Sequence, residues 1–507
     1  MIFEPFDQKK PTALLMMKRP QHSMGPEKTH KNIKQGRLNR EAERNPTTYA
    51  AYHRMVWRWH FYAGIFCLPF ITILSLTGSI YLFKPQIDAY FDQPYNKLSL
   101  ASEPKTLDEQ VSAAVASQPG NRLKNLEIRP DRSDAARVHF LNAKGEPIRV
   151  LVRPDTLEIL KTEFEKSQFT SIIHDLHGEL LLGVPGAILV ELAGAWAIIM
   201  ILTGLYLWWP DSNDGAAGVL YPRFRSKGRT LLKDLHSVTG FWISLFALFF
   251  LISALPWTTV WGGSLKYLRS IGQPTQIKQD WTTGPASAKA QKLDEFNNAA
   301  KAVGSDEHAE HQEHRSHHSS ETQKIAGFDL LAPHAVSFKL EEPVLLSPPS
   351  IVTPNWKLQS ETQNRPQRKT IEFDPKTFRQ VSEKSFADKP LLDKIIGTGI
   401  AAHEGQLFGV FNQLLGLMTA LGYLLLVATS TLMWWKRRPQ GSFGAPAIIL
   451  PIRKTPNIFI GMAIVLGIFL PTLGISLLVV LIFEFIARRF LPRTSRWLGL
   501  EPINYDH

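Results

Sequence analysis

Long apolar runs alternate with polar stretches, two of them several times that length and two of similar length. The runs are Trp57–Phe83, Pro185–Trp209, Ser237–Trp257 and Leu407–Trp435, with a fifth apolar region from Asn457 to Phe490. About 20 apolar residues are needed to cross a hydrocarbon layer roughly 30 Å thick. The pattern predicts a mainly α, polytopic membrane protein with four core helices. Pro471-Thr472-Leu473-Gly474 interrupts the fifth region, and basic residues flank both its ends. A helical hairpin over 457–490 is expected there, with a single kinked span as the alternative. Pro69 suggests a kink in the first span.

The polar stretches differ in kind. Residues 1–50 lack apolar periodicity and read as a disordered basic tail. Segment 85–184 reads as one helix, near Leu107–Ala116, on a small antiparallel sheet. Its strands are expected at 126–128, 136–140, 148–153 and 157–160, the third alternating with period two. Segment 261–406 ends on the same theme, with strand, Pro-containing turn and strand over Thr370–Val381. Its polar insertion at 285–323 carries His308, His311, His314, His317 and His318. That insertion reads as a solvated loop, with metal binding by the histidines as the alternative.

The apolar runs repeat in detail. His177 and His403 each precede a Gly by six positions, Gly183 and Gly409, and a Trp pair by 31, Trp208-Trp209 and Trp434-Trp435. His60 and His236 each precede a Gly by four positions, Gly64 and Gly240. The chain therefore reads as one unit written twice: helix, extramembrane segment, helix. The paired tryptophans read as interfacial anchors.

Charge orients the bundle. The net charge of +12 gathers beside the spans, in residues 1–56, in Arg223–Arg229, and at Lys436, Arg437, Arg438, Arg453 and Lys454. Short basic loops stay cytoplasmic. This predicts 211–235, 437–456 and both termini inside, and 85–184 and 261–406 outside. The charge is thus a membrane signal and predicts no nucleic-acid partner. Cys67 is the single cysteine. It excludes an intramolecular disulfide, a thiolate metal cluster and c-type haem attachment.

With that orientation His60 and His236 lie near the inner face, and His177 and His403 near the outer face. A pseudo-two-fold axis along the membrane normal pairs His60 with His236 and His177 with His403. Imidazole is a haem axial ligand, so two bis-histidine b-haem sites are expected, one above the other. Gly64, Gly240, Gly183 and Gly409 would give a flat macrocycle room, with Phe61, Phe241 and Phe408 on its faces. One such histidine alone reads as an interface residue bonded to a carbonyl. Four at corresponding ends are harder to explain so, because polar groups at the membrane are costly. His174 shares a helical face with His177 and could replace or assist it; His53 is a weaker substitute for His60. Glu191, inside a span, reads equally as a proton or ligand group and as an interhelical hydrogen bond.

These residues carry a resemblance. His60–Gly64, Thr77-Gly78, Leu176-His177, Thr203–Pro210, Asp234-Leu235-His236 and Trp434–Arg438 resemble the PepSY-associated transmembrane family, over about residues 50–490. The resemblance implies a bacterial inner-membrane protein with PepSY-like periplasmic domains. It also implies, for some members, a siderophore-iron reductase holding two b haems. Ser253-Ala254, where the first span has Thr77-Gly78, departs from the pattern locally and is expected to leave the histidines untouched. The implied activity is electron transfer from a cytoplasmic or membrane donor to periplasmic ferric siderophore, with no acid–base catalytic residue. The alternatives are a PepSY-type binding or peptidase-regulating protein without cofactor, and an accessory to siderophore transport.

Overall fold

The computed structural model describes residues 48–210, 215–271, 281–300, 327–350, 352–446 and 457–500. The tail 1–47 and the histidine cluster at 308–318 lie outside the described residues.

In chain order, α1 (Thr48–Tyr81) leads through α2 (Lys84–Asp92) and α3 (Leu107–Ser117) to strands β1 (Arg122–Ile128), β2 (Ala136–Leu141), β3 (Pro147–Val152) and β4 (Ile159–Phe164). Next come α4 (Phe169–Glu179), α5 (Val184–Trp208), α6 (Arg229–Ala254), α7 (Trp261–Ser270), α8 (Gly284–Ala300), α9 (Phe328–Leu331) and α10 (Pro333–Ser337). The second strand group is β5 (Val344–Ser347), β6 (Trp356–Ser360), β7 (Lys369–Phe373) and β8 (Gln380–Ser385). Helices α11 (Leu391–His403), α12 (Val410–Arg437), α13 (Asn457–Phe469), α14 (Pro471–Phe490) and α15 (Pro492–Leu498) complete the chain.

Among the described residues four helices are long and apolar enough to cross a membrane: Ala51–Tyr81, Val184–Trp208, Arg229–Trp257 and Val410–Arg437. The protein is a polytopic membrane protein with an antiparallel sheet at one end of the bundle. Helix α1 continues through Pro69. Helices α13 and α14 meet at Leu470, where Leu470 and Leu473 pack on Ala195, Ile198 and Leu255. Phe459, near the start of α13, meets Tyr52 and Trp59. Beyond the pair, at the end of α15, the Leu498 carbonyl accepts from Tyr62 Oη. Both ends of this segment therefore contact the first half of α1.

The two extramembrane segments do not form separate sheets, as the sequence suggests. They share one eight-stranded sheet, ordered β4-β3-β2-β1-β5-β6-β7-β8. The seam is an antiparallel β1–β5 pair with Leu126 opposite Leu346. Strands β5 and β6 are too short to stand out in the polar sequence around them. Strand β4 begins two residues later than expected because Leu157 sits in the turn at φ 65°; Phe378 does the same between β7 and β8 at φ 53°. The start of the expected insertion loop is instead helix α8, held to β1 by the Lys124–Glu295 ion pair.

Alternation with period two gives the sheet two faces. One face presents Leu126, Val138, Phe140, Val150, Leu346, Leu358, Ile371 and Phe373 to α3 and α9, forming a single core across the seam. The helices are cross-capped between the segments. Asp108 accepts the Phe328 N–H at 2.9 Å, and Asp329 accepts the Leu107 and Asp108 N–H groups at 2.9 and 3.0 Å. The opposite face is ionic: Arg149 grips Asp92 through two nitrogens at 2.9 and 2.8 Å, and Arg137 meets Glu127 at 2.7 Å.

Candidate functional site

The sequence places His177 and His403 at the ends of spanning helices. The structure puts them instead near the C-termini of the short helices α4 and α11. The chain then reverses sharply before each span. Gly183, at φ 67°, caps α5, and Gly409, at φ 59°, caps α12. Left-handed backbone of this kind suits glycine. These two glycines therefore build the turn. Nothing lies within 4 Å of where their Cβ atoms would be.

His60 lies on α1 and His236 on α6, near the basic ends of the spans. Their ring centres are 6.4 Å apart with planes crossing at 83°. His177 and His403 lie at the sheet end of the bundle, each against a hydroxyl of its own half of the chain. No ring contact as tight as that of the first pair joins them. His403 is instead flanked by Phe250 and Trp257, at 5.0 and 5.4 Å between ring centres. Burial pushes His403 down to about 3 and His177 down to about 4, so both rings are neutral at pH 7.

Each of the four imidazoles has its Nδ1 on a hydroxyl from a neighbouring helix. His60 faces Thr203 Oγ1 at 3.1 Å and the Met200 carbonyl at 3.0 Å. His177 faces Thr77 Oγ1 at 2.9 Å, His236 faces Thr429 Oγ1 at 3.2 Å, and His403 faces Ser253 Oγ at 2.9 Å. Ser253 thus touches a histidine, contrary to the sequence expectation. Among the described residues no hydrogen bond engages any of the four Nε2 atoms.

Small residues beside two of the hydroxyls set the imidazole positions. A Cβ on Gly78 would stand 3.2 Å from His177 Cε1, and one on Gly204 would stand 3.1 Å from His60 Cε1. The glycines singled out for spacing from sequence are more remote: Gly64 faces Met200 and Gly240 faces Leu426, at 3.9 and 3.7 Å. The phenylalanines also differ from expectation. Phe61 packs on Tyr62 and Phe443, Phe241 stacks on Trp208 at 3.9 Å, and Phe408 is exposed.

The remaining candidates have other partners. His174 is exposed, with Nδ1 3.1 Å from Asp175 and its ring beside Tyr81. His53 lies against Tyr206. Glu191 is buried and accepts the Val260 and Trp261 N–H groups at 2.8 and 2.9 Å, so it anchors the start of α7. In each Trp pair the first ring faces inward: Trp208 donates to the Val219 carbonyl and Trp434 to that of Phe443. Trp209 and Trp435 are exposed.

The His60–His236 pair fits haem. Two metal–imidazole bonds of about 2 Å each, extended to the ring centres, span roughly 6 Å, close to the His60–His236 separation. Among the described residues no three His, Cys, Asp or Glu side chains gather as a chelate. Paired imidazoles with unengaged Nε2 atoms suit a group that brings its own equatorial donors.

Comparison with curated proteins finds no match. A family model described as the PepSY-associated TM region matches residues 57–437, which include all four imidazoles and the hydroxyls that hold them. The chain belongs to the PepSY-associated transmembrane family.

Proposed function

We propose that the protein is a bacterial inner-membrane di-haem b reductase. It passes electrons from the cytoplasmic side to periplasmic ferric siderophore and releases Fe(II) for uptake. The observation that carries this reading is the set of four imidazoles, each fixed at Nδ1 and unengaged at Nε2, at two levels of an apolar bundle. His60 and His236 would hold the inner haem, and His177 and His403 the outer one. Haem b bound at these pairs would supply two one-electron carriers. His60 and Thr77, the residue that fixes His177, stand seventeen positions apart on α1, or roughly 25 Å along a helix axis.

The chain's own residues orient the sites. Basic residues at the His60–His236 end, including Lys436, Arg437 and Arg438, support a cytoplasmic assignment for that end. The electron donor would be a cytoplasmic or membrane reductant acting there. The sheet then stands in the periplasm, over the level at which ferric iron takes up its electron. Hard oxygen donors hold Fe(II) more weakly than Fe(III), so one-electron reduction loosens the chelate. Duplication of a helix–PepSY-like segment–helix unit accounts for the repeated hydroxyl–imidazole pairs.

Oriented vesicles test this reading. With reductant on the cytoplasmic face and ferric siderophore on the other, Fe(II) should appear in a chelator assay. Haem-loaded, folded protein that yields no Fe(II) above empty vesicles would overturn it.

A further inference from the structure

We infer that Thr77, Thr203, Ser253 and Thr429 are positioning residues that select one tautomer of each imidazole, and that Ser253 leaves His403 the least firmly held of the four. This rests on the haem reading above.

The hydroxyl protons are already committed. Thr77 Oγ1 donates to the Ile73 carbonyl at 2.7 Å, Thr203 to Ile199 at 2.8 Å, and Thr429 to Leu425 at 2.7 Å. A hydroxyl has one proton and two lone pairs. Having given its proton to a carbonyl, it can only accept from the imidazole. Nδ1 must then carry the hydrogen, and Nε2 keeps its lone pair for iron. The Met200 carbonyl at 3.0 Å from His60 Nδ1 forces the same assignment independently, because a carbonyl cannot donate. Hydrogen bonding at the second ring nitrogen fixes ring orientation and raises ligand basicity.

Ser253 differs in two ways. Its proton goes to the Phe250 carbonyl at 3.2 Å, longer than the threonine bonds. It also lacks the methyl that restricts χ1 of a threonine. His403 thus has the same acceptor as the others on a looser mount.

The bonds also follow a topological rule. Thr203 on α5 holds His60 of α1, and Thr77 on α1 holds His177 just before α5. Thr429 on α12 holds His236 of α6, and Ser253 on α6 holds His403 just before α12. Hydroxyl bonds stay within each half of the chain, whereas each proposed haem joins the two halves. Each half therefore sets its own imidazoles before the cofactor arrives.

The test is a haem titration of purified, haem-depleted protein, with the midpoint potential of each bound haem, for wild type, Ser253→Ala and Ser253→Thr. Ser253→Ala should weaken one of two binding steps by about 10–100-fold and move the midpoint of that haem upward, because a less basic imidazole stabilises ferric iron less. The other haem should be unchanged. Ser253→Thr should tighten the same step. If wild type binds two haems and Ser253→Ala leaves both affinities and both midpoints unchanged, the inference fails while the haem reading stands. Wild type that takes up no haem overturns both. Should the alanine variant not fold, a threonine variant with unchanged or weaker binding still overturns the inference.

Discussion

Ser253 Oγ lies 2.9 Å from His403 Nδ1, matching the 2.9 Å between Thr77 Oγ1 and His177 Nδ1 in the other half. A polar pair inside an apolar bundle persists where each partner satisfies the other. These two pairs thus explain how imidazoles are tolerated there. The satisfied edge is Nδ1, and Nε2 is left without a hydrogen-bond partner among the described residues.

Gly204 tests the imidazole mount at the other level. A side chain there would approach His60 Cε1 to within 3.1 Å from its first atom, and a branched residue reaches further. Gly204→Val should displace His60 and remove one haem of two, leaving the other spectrum intact. Gly78→Val should do the same through His177. Haem content and the reduced spectrum of each variant check this.

The bond pattern is partly legible in the sequence. The spans, the paired histidines and the Thr77-Gly78 motif are visible because apolar length and exact spacing survive in one dimension. The roles of Gly183 and Gly409 are not, because a left-handed cap and a roomy packing site both use glycine. Ser253 reads as a local departure, since nothing in the sequence reveals that residue 253 faces residue 403. The shared sheet is hidden for the same reason: β1 and β5 pair across more than 200 residues, and no local signal marks the seam.

The cross-caps bind the two halves of the sheet module. Asp329 satisfies two N–H groups at the start of α3. Asp329→Ala should cost about 1 kcal/mol, in the range of a lost N-cap. Thermal unfolding should shift downward with haem content unchanged.

The ionic face gives a pH dependence. His139 Nδ1 lies 2.9 Å from Glu165, and Nε2 lies 3.8 Å from Glu127. Burial alone would lower the His139 pKa, but the carboxylates of Glu127 and Glu165 outweigh this and raise it above the ordinary value. A raised folded-state pKa stabilises the fold fully below the unfolded value of about 6.5. That contribution is lost as pH rises through the folded value. Wild-type melting temperature should therefore fall across the neutral range towards mild alkali, and His139→Gln should remove this component. Melting curves at matched ionic strength measure it.

Orientation can be read directly. Basic residues cluster at the end opposite the sheet, so a reporter inserted within 301–320 should be active in the periplasm. Cytoplasmic activity would reverse the proposed direction of electron flow.

The central claim is that four imidazoles hold two haems at separate levels, and a haem count in three proteins tests it most directly. A pyridine haemochrome assay should give two b haems per folded wild-type chain. His403→Ala and His236→Ala should each give one, with different reduced spectra, because each removes a ligand from a different site. One haem or none in wild type, or loss of the same haem in both variants, would contradict the account.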